Sequence, residues 1–369
     1  MIPRITTTWH TPEWQNEMAH AISSPKVLLQ ALNLPLELLN AAEKAHALFP
    51  TRVPHSYLKR IKTGDVNDPL LKQVLPIGAE LEKHPGFRTD PVGDYQANPQ
   101  TGLLHKYAGR VLLLLTGACA IHCRYCFRRH FDYQGNNPLG QQWQQTLDYI
   151  NSDDSIFEAI FSGGDPLSLS DAKLRQILSD LSHIPHLRYL RIHTRLLTTI
   201  PKRLTEELLT LLAETRLQVT IVVHINHPQE IDDEVSKCMK QLNDTGIRLM
   251  NQSVLLKGIN DDLDTLTTLS HRLYETGILP YYLHMLDKVE GANHFDIDEN
   301  EARMLYQRLQ AALPGYLVPK LVREIAGEAN KVPVSGKAQN ENLDFNSLDA
   351  SEFSSLSSKK SKEFQEPTE

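Results

Sequence analysis

From residue 110 onward, strand-length apolar runs alternate with amphipathic helical stretches, and this alternation restricts the possible folds more than any other feature. The runs are RVLLLLTG (110–117), IFEAIFSG (156–163), YLRIHTRLL (189–197), LQVTIVVHIN (217–226), RLMNQSVLL (248–256) and LPYYLHML (279–286). Six nearly continuous apolar strands, each followed by a helix, are typical of a parallel sheet covered by helices.

Periodicity alone does not separate a doubly wound sheet from a partial or full barrel. Polar residues directly after the strands favour a barrel, because barrel enzymes carry their active sites there. We therefore predict an α/β fold, a partial (β/α)6 TIM-like barrel over residues 101–335. Residues 1–100 show helix-period apolar residues followed by a proline-rich stretch, which predicts an N-terminal helical and irregular region. Residues 336–369 lack a sustained apolar face, which predicts a disordered tail.

The chain has 369 residues, of which 22% are charged, and a formal net charge of −7. This balance offers no broad basic surface for nucleic acid, although Arg124, Arg128 and Arg129 form a local basic cluster that could bind an anion. No apolar run is long enough to cross a membrane, and the first residues lack the apolar core of a signal peptide. We therefore expect a cytoplasmic protein without a membrane or nucleic-acid partner, and a homo-oligomer remains open.

Three of the four cysteines, Cys119, Cys123 and Cys126, follow the first predicted strand with the spacing C-x3-C-x2-C. Clustered cysteines in so long a chain indicate metal ligands rather than disulfides. A zinc site would need a nearby histidine as its fourth ligand, and a ferredoxin-type cluster would need the distant Cys238. Three thiolates on a [4Fe–4S] cluster would instead leave one iron free for the amino and carboxylate groups of S-adenosylmethionine (SAM).

The cysteine triplet on this loop resembles that of radical SAM proteins. The segment FSGGDPL (161–167), at the end of the second strand, resembles the family segment that contacts the methionine part of SAM. The resemblance implies that Ser162, Gly163, Gly164 and Asp165 bind SAM, with Asp165 as the anionic partner of its ammonium group. Taken alone, the two glycines would let the backbone approach a ligand closely or would simply form a strand-to-helix turn.

Further segments narrow the resemblance to the lysine 2,3-aminomutases, over residues 10–335 and most strongly from 103 onward. They are LLHKYAGRVLLLLTGACAIHCRYCFRR, SGGDPL, VVHINHPQEI, NQSVLLKGIND, YYLHMLDKVEGANHF and VREIAGEANKVPV. The short C-terminus and the GEANK segment are most similar to the branch that makes (R)-β-lysine for elongation factor P.

The resemblance implies an isomerase that acts on L-lysine with a [4Fe–4S] cluster, SAM and pyridoxal 5'-phosphate. It also implies a reducing electron donor such as flavodoxin, and an elongation factor P lysyl-ligase that uses the product. Three alternatives stay open: a catabolic aminomutase that makes (S)-β-lysine, a radical SAM RNA-modifying enzyme, and a non-enzymatic iron–sulfur protein.

By the same resemblance, Lys331 at the end of the GEANK segment forms the Schiff base with pyridoxal phosphate. Such a lysine must be neutral to attack a carbonyl, which an enclosed site favours. Lys106, Tyr107 and Arg110 match positions at the phosphate and against the ring, and cations and an aromatic face suit those groups. Three polar residues in or after the fourth and fifth strands match contacts to the adenosyl and pyridoxal groups: His224, Asn251 and Gln252.

Three residues match the substrate-binding positions of the family. Arg128 matches the arginine that binds the α-carboxylate, and a planar guanidinium suits a carboxylate because it donates two parallel hydrogen bonds. Asp287 and Glu324 match the two acids that bind the lysine ε-ammonium. The second acid is an aspartate in lysine aminomutases, so Glu324 keeps the charge and lengthens the side chain by one methylene.

The resemblance also predicts that a zinc site is absent. Clostridial-type members bind zinc through one cysteine after the NQSVLL strand and three near the C-terminus. The first of these positions falls on Asp262, and no cysteine follows Cys238. We therefore expect no structural zinc.

Overall fold

One sheet runs through the chain from residue 103 to residue 333. The structure is a computed structural model, and it describes residues 11–140 and 142–334, so the predicted tail at 336–369 lies outside the described residues. In the described part the strands are β1 (Leu103–Tyr107), β2 (Arg110–Thr116), β3 (Glu158–Gly163), β4 (Tyr189–Thr194), β5 (Gln218–Val223), β6 (Arg248–Val254), β7 (Leu279–His284), β8 (Lys320–Arg323) and β9 (Val332–Pro333). Strands β2 to β8 are parallel, and β1 and β9 pair antiparallel at the two ends.

The spatial order of the strands equals their order in the chain. A doubly wound sheet reverses its order at a switch point, whereas crossovers that all proceed in one direction curl the sheet into a barrel. Among the described residues no pairing joins β1 to β9, so the barrel is partial. The predicted partial barrel with six βα units is confirmed, and β8 adds a seventh parallel strand.

Helices in the described part cover the outer face of the sheet or build the N-terminal region. They are α1 (Glu13–Ala19), α2 (Pro25–Ala31), α3 (Leu39–Leu48), α4 (His55–Leu58), α5 (Pro69–Lys72), α6 (Trp143–Ser152), α7 (Asp171–Ser182), α8 (Leu196–Thr199), α9 (Glu206–Glu214), α10 (Asp233–Asp244), α11 (Leu263–Glu275) and α12 (Glu299–Ala312).

Helix α10 shows why these segments fold as they do. Val235, Cys238, Met239 and Leu242 recur at helical spacing and are buried against the sheet. The Asp232 carboxylate accepts a hydrogen bond from the Val235 N–H at 2.9 Å and so caps the first turn. The fourth cysteine therefore belongs to the hydrophobic core between helix and sheet.

The N-terminal region has its own hydrophobic cluster, and this cluster includes part of the cysteine loop. Leu28, Tyr57 and Leu70 are fully buried and pack with Ile121, which lies between the first two clustered cysteines. The half-buried Cys123 packs against the same cluster. The N-terminal region therefore covers the cysteine loop.

Two details differ from the sequence-based prediction. The strand predicted over 189–197 ends at Thr194, and a helical turn begins at Leu196, because the Asp165 carboxylate accepts from the N–H groups of Arg195 and Leu196 at 2.7 and 2.8 Å. Strands β1, β8 and β9 were not predicted, since runs of five, four and two residues are too short to show a period.

Within the described residues, none of the helices combines the length and the apolar character that spanning a bilayer would require.

Candidate active site

Four polar side chains face one side of the sheet near the carboxyl ends of its strands. The strand register places His193, His224, Gln252 and His284 on that same face. The rings of His193 and His224 are 6.0 Å apart, and Gln252 Nε2 is 2.7 Å from His224 Nε2. Burial lowers the pKa of all three histidines, to about 3 for His224, so the imidazoles are neutral.

Sequence reasoning missed two of these residues, His193 and His284. In each, the buried Nε2 has no hydrogen-bond partner among the described residues. A buried polar atom left without a partner is costly, so both nitrogens suit a polar ligand in the barrel interior. The signal that could have found them is their position at the carboxyl ends of predicted apolar strands, where barrel enzymes carry their active sites.

Asn251 does not belong to this face. It pairs with Val223 in the neighbouring strand. Because successive strand residues face opposite sides of the sheet, Asn251 lies on the face opposite to that of Gln252. Its amide exchanges two hydrogen bonds with the Ile225 backbone, at 2.9 and 3.1 Å, and contacts the Ser253 hydroxyl at 2.9 Å. The polar atoms of Asn251 therefore hold the loop after β5, and its contact with a cofactor stays a prediction.

Cys119, Cys123 and Cys126 lie on the loop after β2 as free, half-buried thiols. Burial, with Cys123 next to it, raises the pKa of the Cys126 thiol to about 11, so a cation or metal is needed to form its thiolate. Among the described residues no three His, Cys, Asp or Glu side chains converge as ligands of a single metal ion do. A [4Fe–4S] cluster makes a different demand, because each thiolate binds its own iron, and the three thiols suit that donor set.

Two of the three arginines in the basic cluster, Arg124 and Arg129, are already paired with a carboxylate and are not free to bind another anion. Arg124 donates to both oxygens of Glu80 at 2.9 and 2.6 Å, and Arg129 donates to the same carboxylate at 2.7 Å. All three side chains are buried. These two arginines of the predicted basic cluster are therefore structural, since they tie the cysteine loop to the N-terminal region.

Arg195 makes a second set of contacts to the cysteine loop, which was not predicted from the sequence. Arg195, after β4, lies with Nη1 2.7 Å from Cys123 Sγ. Its Nη2 donates to Gln73 at 2.6 Å and to Glu230 at 2.9 Å, and Glu230 is fully buried. Arg195 therefore joins the cysteine loop to Gln73 and Glu230.

The glycine pair at the end of β3 packs against the cysteine loop. A Cβ on Gly163 would lie 2.4 Å from the Thr116 carbonyl oxygen, and one on Gly164 would lie 2.4 Å from that of Ala118. Gly163 also has φ +125°, which other residues rarely adopt. The pair therefore permits close contact between two backbones directly before Cys119.

Asp165 also lies where the end of β3 meets the cysteine loop. Its buried carboxylate accepts hydrogen bonds from the Thr194 hydroxyl and from the N–H groups of Leu167, Arg195 and Leu196. Both oxygens therefore have partners within the protein, and the pairing of Asp165 with the SAM ammonium stays a prediction. The contacts of Asp165 join the ends of β3 and β4.

Lys331 lies beside Glu324 where β8 turns into β9. Lys331 Nζ is 2.6 Å from Glu324 Oε2, and the Tyr107 hydroxyl donates to Glu324 Oε1 at 2.5 Å. Lys106 Nζ is 3.8 Å from the same carboxylate, and the Tyr282 ring centre is 5.9 Å from Lys331 Nζ. An amine beside an acid and aromatic rings fits a pyridoxal phosphate site.

Arg110 is suited to the phosphate of that cofactor. Its guanidinium lies 4.8 Å from the centre of the Tyr107 ring. No carboxylate within the described part of the chain pairs with Arg110, so its charge is open to an anion. Lys106, by contrast, is already 2.6 Å from Asp94 Oδ1 and 2.8 Å from the Val92 carbonyl.

Arg128 is buried between two segments. Its Nε donates to Asp94 Oδ2 at 2.6 Å, and its Nη1 donates to the Ser162 hydroxyl at 3.0 Å. Asp94 is 1% exposed and was not predicted as a site residue, because it lies in the loop-rich stretch before β1. The hydroxyl of Ser162 therefore contacts the predicted carboxylate-binding arginine.

Asp287 follows β7 and is the most perturbed carboxyl group near Lys331. Burial raises its pKa to about 7, even though the charge of Lys331 acts in the opposite direction. Glu324 and Asp94 contribute to the rise through like-charge repulsion. A cation bound beside Asp287 would favour the ionised form of its carboxyl group.

The chain has clear relatives. The model of the Radical SAM superfamily matches residues 113–269. Over 331 residues the chain is 50% identical to L-lysine 2,3-aminomutase of Haemophilus influenzae, covering 90% of this chain and 98% of the relative. The enzyme of that name from Escherichia coli is 46% identical over 331 residues, covering 89% and 96%. The one from Clostridium subterminale is 32% identical over 323 residues, covering 87% and 77%.

Solved structures give weaker matches. Streptococcus suis SuiB aligns with a TM-score of 0.46 and 15% identity, over 59% of this chain and 50% of that chain. A radical SAM methyltransferase from Sphaerobacter thermophilus aligns with a TM-score of 0.43 and 17% identity, over 60% and 68%.

Proposed function

This chain belongs to the L-lysine 2,3-aminomutase family of radical SAM isomerases, and on that premise we propose that it converts L-lysine to (R)-β-lysine for elongation factor P. The observation that carries the lysine 2,3-aminomutase activity is the 50% identity to an L-lysine 2,3-aminomutase over nearly its whole length. The (R) product and its use by elongation factor P rest on the similarity of the GEANK segment to that branch of the family. We further propose pyridoxal phosphate as the second cofactor, a flavodoxin-type electron donor, and an elongation factor P lysyl-ligase as the user of the product.

The cofactor sites follow from the donor groups. Cys119, Cys123 and Cys126 would hold the [4Fe–4S] cluster, Lys331 would form the Schiff base, and Arg110 would bind the phosphate. When bound, the cluster and SAM supply a 5′-deoxyadenosyl radical that removes hydrogen from an unactivated carbon, while pyridoxal phosphate carries the migrating nitrogen.

The protein's own part is to hold the substrate at both ends. Arg128 binds the α-carboxylate, and Asp287 with Glu324 binds the ε-ammonium. Fixing both ends sets the position of the β-carbon hydrogen between them, where a misplacement of about 1 Å can cost about a hundredfold in rate. The side chains in the barrel interior, among them His193 and His284, would exclude water from the reacting atoms.

Glu324 has a partner before the substrate arrives, since Lys331 Nζ is 2.6 Å from its carboxylate. A Lys331 that holds pyridoxal phosphate would no longer present its amine to Glu324. The Glu324 carboxylate would then be available to the ε-ammonium of lysine. A site with two acids selects a cationic side chain and rejects an acidic one.

The proposal is tested by anaerobic reconstitution with iron, sulfide and pyridoxal phosphate, followed by turnover of L-lysine with SAM and a reductant. Chiral chromatography should give (R)-β-lysine, formed only when SAM is present. Lys331→Ala should abolish turnover and the visible absorption of pyridoxal phosphate bound to Lys331. The iron content should stay at the wild-type level.

Other outcomes identify the alternatives. Accumulation of (S)-β-lysine would assign the chain to the catabolic branch. A fully loaded protein that forms no β-lysine at all would show that the proposed activity is wrong. SAM cleavage that depends on added RNA would point to an RNA-modifying enzyme instead.

A further inference from the structure

Asp94 is a buried acid that links two cations of the site. It lies in the loop before β1, and its side chain is 2% exposed. One carboxylate oxygen accepts from Arg128 Nε at 2.6 Å, and the other is 2.6 Å from Lys106 Nζ. Burial favours the neutral acid, but the charges of Arg128 and Lys106 outweigh it, and the pKa of Asp94 is lowered. Asp94 is therefore an anion shared by both cations.

These contacts decide which part of the Arg128 guanidinium is free. The group has five N–H donors. Asp94 takes the Nε donor, and the Ser162 hydroxyl takes one donor of Nη1. Among the hydrogen bonds of the described residues, this leaves donors on Nη1 and Nη2, the two nitrogens at the end of the group. Two such donors match the two oxygens of a carboxylate.

We propose that Asp94 is a positioning residue that selects for the substrate carboxylate by holding the Arg128 guanidinium in the orientation that receives it. The inference rests on the proposed function, in which Arg128 binds that carboxylate. Asp94 acts through Arg128, because one of its oxygens accepts from that guanidinium and the other forms an ion pair with Lys106. A second carboxylate brought directly to Asp94 would be repelled by its charge.

The wider charge pattern explains why one aspartate is needed here. Lys106 lies between Asp94 and Glu324, at 2.6 and 3.8 Å, and Glu324 pairs with Lys331 at 2.6 Å. Asp94 gives Lys106 and Arg128 a common counterion and so keeps the two cations in fixed places. Without that charge, the Ser162 hydroxyl is the one side-chain hydrogen-bond partner that Arg128 keeps among the described residues, so its guanidinium is held less firmly.

The test compares L-lysine with 1,5-diaminopentane, which differs only by the missing carboxylate. Equilibrium dialysis on protein loaded with cluster and pyridoxal phosphate, without reductant, gives the Kd of each ligand. Asp94→Asn should raise the Kd of L-lysine about tenfold to a hundredfold, the range expected when a charged hydrogen bond is lost. The Kd of the diamine should stay within about twofold of wild type, since it makes no contact through Arg128.

Two further variants make the result decisive. Asp94→Glu keeps the charge but moves the guanidinium, so it should also lose affinity for L-lysine alone, and it replaces Asp94→Asn if that protein does not fold. Arg128→Gln tests the underlying function and should show the same carboxylate-specific loss.

The outcomes separate the two ideas. Equal losses for both ligands in the Asp94 variants, or no loss for either, would overturn the positioning role while Arg128→Gln still shows its specific loss. If Arg128→Gln binds L-lysine as wild type does, the proposed carboxylate site itself fails. A loss of pyridoxal phosphate affinity without a lysine-specific effect would assign Asp94 to Lys106 and would also contradict the proposal.

Discussion

At the scale of single residues, the raised pKa of Asp287 indicates that a cation bound beside this carboxyl group would stabilise its ionised form. Its pKa of about 7 arises first from burial, and the charges of Glu324 and Asp94 add to the rise. Lys331 and Lys106 oppose it. A bound ε-ammonium would lower this pKa, so the substrate and the proton compete for the same carboxylate.

This competition predicts a pH dependence. Because the substrate binds the ionised form of Asp287, kcat/KM for L-lysine should be about tenfold lower at pH 6 than at pH 8. The comparison ends at pH 8, because the amino groups of the substrate lose their own protons at higher pH. Steady-state rates at fixed SAM concentration across this range measure the profile.

The Asp287→Asn variant is the control for that profile. It should have a lower kcat/KM at every pH and should lose the acidic limb, because no proton then competes at this position. An acidic limb that survives the substitution unchanged would assign the titration to a different group.

At the scale of elements, the end of β3 and the cysteine loop fit together without room for a side chain. Gly164 lies against the Ala118 carbonyl, and Asp165 fixes the start of α8 from the other side. The loop that carries the cysteines is therefore shaped by the strand that follows it. Its geometry depends on close backbone packing as well as on cysteine spacing.

Gly164→Ala should disturb this junction. The added Cβ would be 2.4 Å from the Ala118 carbonyl oxygen, and overpacking of this kind costs about 1–3 kcal/mol. We expect fewer iron atoms per chain after reconstitution and a lower Tm, measured by iron analysis and thermal unfolding.

Gly315→Ala provides the matched control. No atom lies within 4 Å of a Cβ placed there, so its stability should change by less than about 0.5 kcal/mol. Equal iron content in the two variants would show that the packing of Gly164 does not shape the cluster site.

At the scale of the whole molecule, the N-terminal region and the barrel form one structural unit around the cysteine loop. Glu80 from the N-terminal region binds Arg124 and Arg129 from the loop, and none of the three is accessible to solvent beyond a trace. Breaking a buried pair is costly because it leaves charges without a partner. The ion pair therefore makes the order of the loop depend on residues far away in the sequence.

Glu80→Gln should destabilise the protein by about 3–5 kcal/mol, since two buried guanidinium groups lose their counterion. Glu207→Gln is the comparison, because it breaks the exposed pair with Arg175 at 3.1 Å and should cost less than about 1 kcal/mol. Chemical denaturation of both variants measures the difference. Similar losses for the two would show that the Glu80 ion pairs add little stability.

Part of this protein was determined by the sequence alone. Six apolar runs with helices between them were enough to predict the parallel sheet, because strand and helix periods are local properties of the chain. The spacing of Cys119, Cys123 and Cys126 indicated a metal site for the same reason. Family resemblance then supplied positions such as Lys331 and Glu324, which the structure brings within 2.6 Å of each other.

The remainder was decided by the tertiary structure. Asp94 is an ordinary loop residue in the sequence, and only folding brings it to Arg128, 34 positions away. Asn251 and Gln252 are neighbours in the chain, but successive strand residues face opposite sides, so only the register shows which one faces the site. Local patterns determine which elements form, whereas contacts between distant segments determine which of their side chains meet.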